Sequence, residues 1–221
     1  MKHKQRLDFL YRGLSELGLN LSIGQQNLLD AYVFLIDTWS RRQNLMAKND
    51  LIFLAERHLF PCFFIANNIK VLRQTRCVDV GSGAGLPGII IQILWPELDM
   101  TLIDSSRKKY LFLKEVCEQL GLKTKIIRER VENYSTEHQY SFDYVVTRAV
   151  AHLEKLWRWS YPLLKVNGAL FALKGGNLQS EITALKDQNI VVEQIKPGSK
   201  WIEITQHLEH KILLKLEKKN D

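Results

Sequence analysis

Between residues 77 and 88 the chain reads Cys-Val-Asp-Val-Gly-Ser-Gly-Ala-Gly-Leu-Pro-Gly, a β-branched stretch that gives way to three alternating glycines. Gly81, Gly83 and Gly85 remove side chains where backbone must adopt positive φ or pass close to a ligand. A strand that ends in such a turn and leaves as a helix presents unpaired amides to whatever binds there. A tight turn without a ligand needs fewer glycines. The run therefore predicts an α/β fold with a nucleotide-like ligand at its first strand–helix junction.

Spacing alone does not choose that ligand. Gly83, Gly85 and Gly88 also satisfy the G-x-G-x-x-G dinucleotide pattern, and Asp104 follows at the separation such sites use for a ribose-binding acid. A nicotinamide-dependent oxidoreductase is thus one reading. Asp79 argues for another. It ends the strand, and a carboxylate directed at the site repels a pyrophosphate but attracts a sulfonium bearing an α-amino group. Asp104 accepts hydrogen bonds from ribose hydroxyls under either reading.

The rest of the chain supplies the context. Before residue 70 apolar residues recur at helical spacing: Leu7, Leu10, Leu14 and Leu17, stopped by Gly18. Ser22 with Gln25 predicts a capping box for a second helix whose face carries Leu28, Tyr32, Leu35, Ile36 and Trp39. Asn49 or Asp50 is expected to cap a third helix, and Pro61 to break or restart it. After residue 75 strands alternate with helices: strands at 77–80, 101–104, 124–127, 142–146, 169–173, 190–195 and 211–216, and helices at 88–94, 107–119, 153–164 and 178–186. This alternation predicts a doubly wound, Rossmann-like sheet of seven strands covered on both faces. The last two strands have no evident helix between them and are expected to pair as an antiparallel hairpin. The expected organisation is a helical extension over 1–70 packed on a core domain over 71–217, with a lysine-rich tail after Leu216 left disordered.

Composition narrows the setting. The chain has 221 residues, 46% hydrophobic and 25% charged, with a formal net charge of +7. No run of 18 uncharged apolar residues suggests a membrane span, and the acids Asp8 and Glu16 do not suit a secretory signal. Cys62, Cys77 and Cys117 are scattered, which fits reduced thiols better than a disulfide framework or a zinc site. The positive charge suits a polyanionic partner. Candidate phosphate contacts are Arg41, Arg42, Lys48, Arg107, Lys108, Lys109, Arg128 and Arg130, whereas Lys123 and Lys125 read as a solvated face. Trp157 and Trp159 are candidates for base stacking or for core; Trp39 reads as core.

Taken together, these segments resemble the bacterial RsmG (GidB) family, ribosomal RNA methyltransferases of the small subunit. Residues 79–88 (DVGSGAGLPG) resemble its glycine loop; Leu102-Ile103-Asp104-Ser105 with Lys108-Lys109 and Phe112-Leu113, Arg130-Val131-Glu132, Thr147-Arg148-Ala149 and Ala172-Leu173-Lys174-Gly175 resemble its further motifs. The resemblance implies S-adenosylmethionine as cofactor and transfer of a methyl group to N7 of a guanine in 16S rRNA, free or in the small ribosomal subunit. It implies that Gly81 and Leu86 contact the cofactor from the loop, that Asp104 binds its ribose and that Val131 and Glu132 flank its adenine. Arg148 is expected to line both cofactor and substrate. The full expected cofactor set is Asp79, Gly81, Gly83, Gly85, Leu86, Asp104, Val131, Glu132 and Arg148; no metal is expected. Guanine N7 carries a free lone pair, so no general base is required, and Arg148, Lys174 and His58 are positioning candidates. A cytoplasmic monomer without membrane contact is the expected setting. The family usually has an acid and a hydroxyl where this chain has Pro61-Cys62, which leaves open a non-catalytic RNA-binding assembly factor of the same fold.

Overall fold

The computed structural model describes residues 3–148, 151–185 and 189–219. Ala149 of the Thr-Arg-Ala motif and Lys186 at an expected helix end lie outside them. Four helices come first: α1 (His3–Glu16), α2 (Ile23–Gln43), α3 (Lys48–Ile52) and α4 (Phe60–Asn67). Gly18, at φ 76°, ends the α1 segment as expected. The capping box of α2 is complete: Ser22 Oγ accepts from the Gln25 amide and Gln25 Oε1 from the Ser22 amide. The cap position of α3 falls two to three residues earlier than predicted. Ala47 precedes it without a side-chain cap, and Asp50 instead reaches toward Arg57 and His58. A π-helical turn over Ala55–Leu59 runs directly into α4, where Pro61 sits in the first turn. Pro61 has no N–H to donate to that turn, whose Glu56 and Arg57 carbonyls accept from Thr205 Oγ1 and Arg148.

The sheet follows: β1 (Arg76–Val80), β2 (Asp99–Ile103), β3 (Lys125–Ile127), β4 (Phe142–Arg148), β5 (Leu164–Gly175), β6 (Ile190–Ile195) and β7 (Lys211–Lys218). Between them lie α5 (Gly88–Leu94), α6 (Arg107–Leu120), α7 (Val131–Glu137), α8 (Leu153–Ser160), α9 (Gln179–Thr183) and α10 (Ser199–Ile204). The spatial order is β3-β2-β1-β4-β5-β7-β6. β1 to β5 pair in parallel and β7 runs antiparallel to both β5 and β6. One antiparallel strand was expected. β6 and β7 pair antiparallel as expected, but α10 and a short 3-10 turn at Gln206–Leu208 intervene between them, where no helix was expected. β7 also runs two residues beyond Leu216, into the stretch read as a disordered tail, because Glu217 and Lys218 pair with Val191 and Ile190. α7 was not anticipated; its sequence, Val-Glu-Asn-Tyr-Ser-Thr-Glu, carries no apolar periodicity to announce it.

One hydrophobic cluster runs without a break from the N-terminal helices into the sheet. Leu10, Tyr32, Ile36 and Phe60 share it with Ile89, Leu102, Phe112 and Phe171. Arg6 ties the first helices together from inside: its guanidinium donates to both carboxylate oxygens of Asp37 and, at 2.6 Å, to the Leu51 carbonyl. Tyr32 Oη reaches from α2 to the Ala84 carbonyl at 2.5 Å. The helical extension therefore braces the glycine loop directly.

Candidate active site at the carboxyl edge of the sheet

From β1 the chain proceeds outward to β2 and β3, then returns to β4 on the other side of β1. The connections diverge there and leave a crevice beyond the carboxyl ends of β1 and β4, where open α/β sheets take ligands. The glycine loop lies at this point. Gly81, Gly83 and Gly85 all have positive φ, at 71°, 58° and 87°. At Gly85 a Cβ would sit 2.5 Å from Ile89 and 3.2 Å from Tyr32 Oη, so both conformation and space demand glycine. Asp104 shapes the loop from β2: one carboxylate oxygen accepts from the Gly83 amide at 2.9 Å, the other from the Ser106 amide at 2.8 Å.

Two clefts open along this edge. The first, about 240 Å³, is lined by Gly81, Asp104, Ser105, Arg130, Val131, Glu132 and Trp159, among others. It gathers four of the residues expected to bind a cofactor. Glu132 is exposed, in the first turn of α7, and Val131 is buried behind it. Gly83 and Gly85 shape the loop without being among the lining residues.

Three of the expected cofactor residues lie away from the first cleft. Asp79 does not face the cleft. It is fully buried, and one carboxylate oxygen accepts from the Gly88 amide at 2.8 Å while the other has no hydrogen-bond partner. Burial pushes its pKa up from 3.8 to about 7, against the opposing pull of the Gly88 amide and Arg148. Leu86 is 4% exposed and packs in the core rather than at the cleft. Arg148 lines the second cleft instead of the first.

That second cleft, about 540 Å³, is bordered by Arg57, Pro61, Arg148, Lys174, His210 and Lys211. The guanidinium of Arg148 donates to the Arg57 carbonyl at 3.1 Å and contacts His58 Nδ1 at 2.8 Å. Burial, then the charge of Arg148, lowers the His58 pKa to about 4. His58 is therefore neutral at pH 7, so its Nδ1 accepts from Arg148 and its proton resides on Nε2, 3.4 Å from Asp50. The π-helical turn carries both Arg57 and His58, and so presents the carbonyl and the ring nitrogen together. Arg148 has no carboxylate in contact among the described residues, and its Nε–H is buried without a partner. Lys174 differs. Its ammonium donates to Glu181 of α9 and, at 2.9 Å, to the Ala151 carbonyl, and its side chain is 11% exposed. Glu181 also accepts from the Leu153 amide at 2.7 Å. Lys174 thus holds α9 and the start of α8 together, and its freedom to reach a phosphate is correspondingly reduced.

Other expected phosphate contacts are also engaged. Lys108 donates to the carbonyls of Gln43 and Asn44, and Lys109 to that of Leu45. They complete the carbonyls that the C-terminus of α2 leaves open. Lys211 in the second cleft went unassigned in the sequence, and Trp159, read there as a stacking or core candidate, borders the first cleft. One signal was available for Trp159: Trp157 and Trp159, two apart on a helix, cannot share a face.

The fold and the crevice at its switch point define a Rossmann-like α/β protein of the methyltransferase type. An rRNA methylase from Streptococcus thermophilus superposes with a TM-score of 0.52 at 15% identity, over 72% of this chain and 94% of its own. The family model described as rRNA small subunit methyltransferase G (GidB) matches residues 25–208. The ribosomal RNA small subunit methyltransferase G of Klebsiella pneumoniae is 36% identical over 203 residues, 91% of this chain and 96% of its own. That of Chlorobium limicola is 34% identical over 187 residues, 84% of each. The chain belongs to the rRNA small subunit methyltransferase G family and is an rRNA methyltransferase.

Proposed function

We propose that the protein transfers a methyl group from S-adenosylmethionine to N7 of a guanine in 16S rRNA, with the cofactor in the first cleft and the RNA at the second. The observation that carries this reading is that two clefts open at the carboxyl edge of the same sheet, one at the glycine loop and one cationic. The first cleft suits the cofactor: backbone replaces side chains at Gly81, and Glu132 offers an exposed carboxylate for an exocyclic amine. Val131 at the start of α7 offers its amide to a ring nitrogen. Asp104 keeps acceptor capacity beyond its two backbone partners for ribose hydroxyls.

The bound cofactor supplies an electrophilic methyl on a sulfonium. The protein's part is alignment and electrostatics. Arg148, fixed by His58 and the Arg57 carbonyl, presents a positive charge to a phosphate or to the guanine O6 edge. His58 takes no proton: its only free lone pair is directed at Arg148. That suits attack by a nitrogen that has no proton to lose. Lys174, neutralised by Glu181, does not oppose the cationic product base. The setting we infer is a monomer in the cytoplasm; among the described residues no helix is long and apolar enough to cross a membrane.

The test is methyl incorporation from radiolabelled S-adenosylmethionine into small-subunit rRNA lacking the mark, followed by borohydride/aniline cleavage. Strand scission at one guanine is the expected result. Labelling without scission overturns the N7 assignment, and no labelling of free rRNA or of the subunit overturns the reading.

A further inference from the structure

A third cleft, of about 520 Å³, lies at the opposite edge of the sheet from the glycine loop. Tyr140, Trp157 and Tyr161 give it aromatic walls, and Lys165, Lys218 and Lys219 border it. It forms where β5 departs from its neighbour: Phe142 pairs with Leu164 but Tyr144 with Ala169, so residues 165–168 loop out. Asn167 turns that loop in the left-handed region, at φ 64°. Tyr140 is the unusual member. It sits at φ 50°, a conformation that glycine or asparagine takes far more readily than a bulky side chain. Its own amide holds it there by donating to the Pro162 carbonyl at 2.8 Å, and the Ser141 amide donates to that of Leu163 at 2.9 Å. The ring is nevertheless 58% exposed, so burial does not offset the backbone strain. Tyr161 and the largely buried Trp157, with ring centroids 5.5 Å apart, supply the other aromatic walls. The cations differ in availability. Lys165 donates to both carboxylate oxygens of Asp143. Lys218 and Lys219 are exposed at the end of β7, and no acid pairs with them among the described residues. No carboxylate lines the cleft. Aromatic faces beside unopposed ammonium groups suit a flat base joined to phosphate, and repel a basic peptide.

We propose that this cleft is a second subsite for the rRNA substrate, taking an unpaired nucleotide remote from the methylated base. The base stacks on Tyr140, and the flanking phosphates meet Lys218 and Lys219. The proposal rests on rRNA as the substrate, and not on the N7 assignment or on the cofactor cleft. Gly168 at this cleft and Lys174 at the second are six residues apart on β5, about 20 Å at the rise of an extended chain. That is the length of about six stacked bases of one strand, so a single RNA molecule reaches both. Anchors at opposite edges of the sheet fix how the protein is turned on its substrate, which one cationic cleft does not.

Filter binding of radiolabelled 16S rRNA, with no cofactor present, reads the subsite directly. Tyr140→Gly removes the ring and relaxes the left-handed backbone, so the fold tolerates the change. Its Kd for the RNA should rise about tenfold, the scale of one stacked base. Tyr140→Phe should bind as wild type does, since stacking needs no hydroxyl. Lys218→Gln combined with Lys219→Gln should flatten the slope of log K against log salt by about two. Wild-type affinity in Tyr140→Gly overturns the proposal. So does a Tyr140→Phe penalty equal to that of Tyr140→Gly, or an unchanged salt slope in the lysine variant. Should Tyr140→Gly melt below wild type, the lysine variant, altered only at exposed side chains, decides alone. If the expected losses appear but no methyl enters the RNA, the proposed function falls and the subsite stands.

Discussion

Gly88 marks how little room the loop leaves. A Cβ there would sit 2.2 Å from Leu102 Cδ2 and 2.9 Å from the Asp79 carboxylate, both in the core under the loop. Gly88→Ala should therefore destabilise the protein by about 1–3 kcal/mol through overpacking. Thermal denaturation would read the loss, and cofactor affinity should fall with it. Asp79 gives a pH prediction. Its pKa is about 7 in the fold against 3.8 ordinarily, so the native state binds the extra proton between these values. Stability from this group is present below pH 4 and is lost as pH rises through 7. Asp79→Asn keeps an acceptor for the Gly88 amide and cannot ionise. Its melting temperature relative to wild type should be higher at pH 8 than at pH 5; a pH-independent difference would contradict this. The glycines were legible in the sequence because few conformations demand them. The direction of Asp79 was not, since a residue at a strand end can turn inward or outward, and only the packing of Gly88 against it decides.

At the scale of elements, side chains that looked available for RNA proved to be joints between helices. Lys108 and Lys109 meet the α2 carboxyl end. Arg6 and Asp37, with side chains 7% and 10% exposed, join α1 to α2. Removing one partner of such a pair strands the other's charge, so Asp37→Ala should cost about 3–5 kcal/mol in denaturant unfolding. The π-helical turn joins the extension to the site through His58. His58→Ala releases Arg148 on one side, and kcat/KM for RNA should fall on the order of tenfold. Cofactor affinity, measured separately, should stay unchanged, because His58 does not line the first cleft. Most elements could be read from periodicity and caps: α5 runs over the predicted 88–94, and α6 closes at Gly121, which is left-handed at φ 63°. The elements that were missed, α7 and α10, have seven and six residues; α5, no longer than α7, was legible because it follows the glycine loop.

Over the whole molecule, the net charge of +7 is general, while the second cleft concentrates Arg57, Arg148 and Lys211 at one mouth. RNA affinity should fall steeply with salt, and Arg148→Gln or Lys211→Gln should each flatten the slope of log K against log salt by about one. An unchanged slope for both variants would place the RNA elsewhere. The class of fold was visible in the alternation of strands and helices, because parallel strands need crossovers. The seating of β7 between β5 and β6 was not, since a sequence does not say which edge a late strand will choose. That seating has a consequence for how the chain comes into being. During synthesis β6 emerges before β7, the strand it pairs with, and β5 waits with an open edge of Leu170, Ala172 and Lys174 backbone until residues 211–218 arrive. The nascent protein therefore holds a sticky, half-built sheet on the ribosome for as long as those residues are untranslated, and its need for a chaperone should be concentrated in that interval.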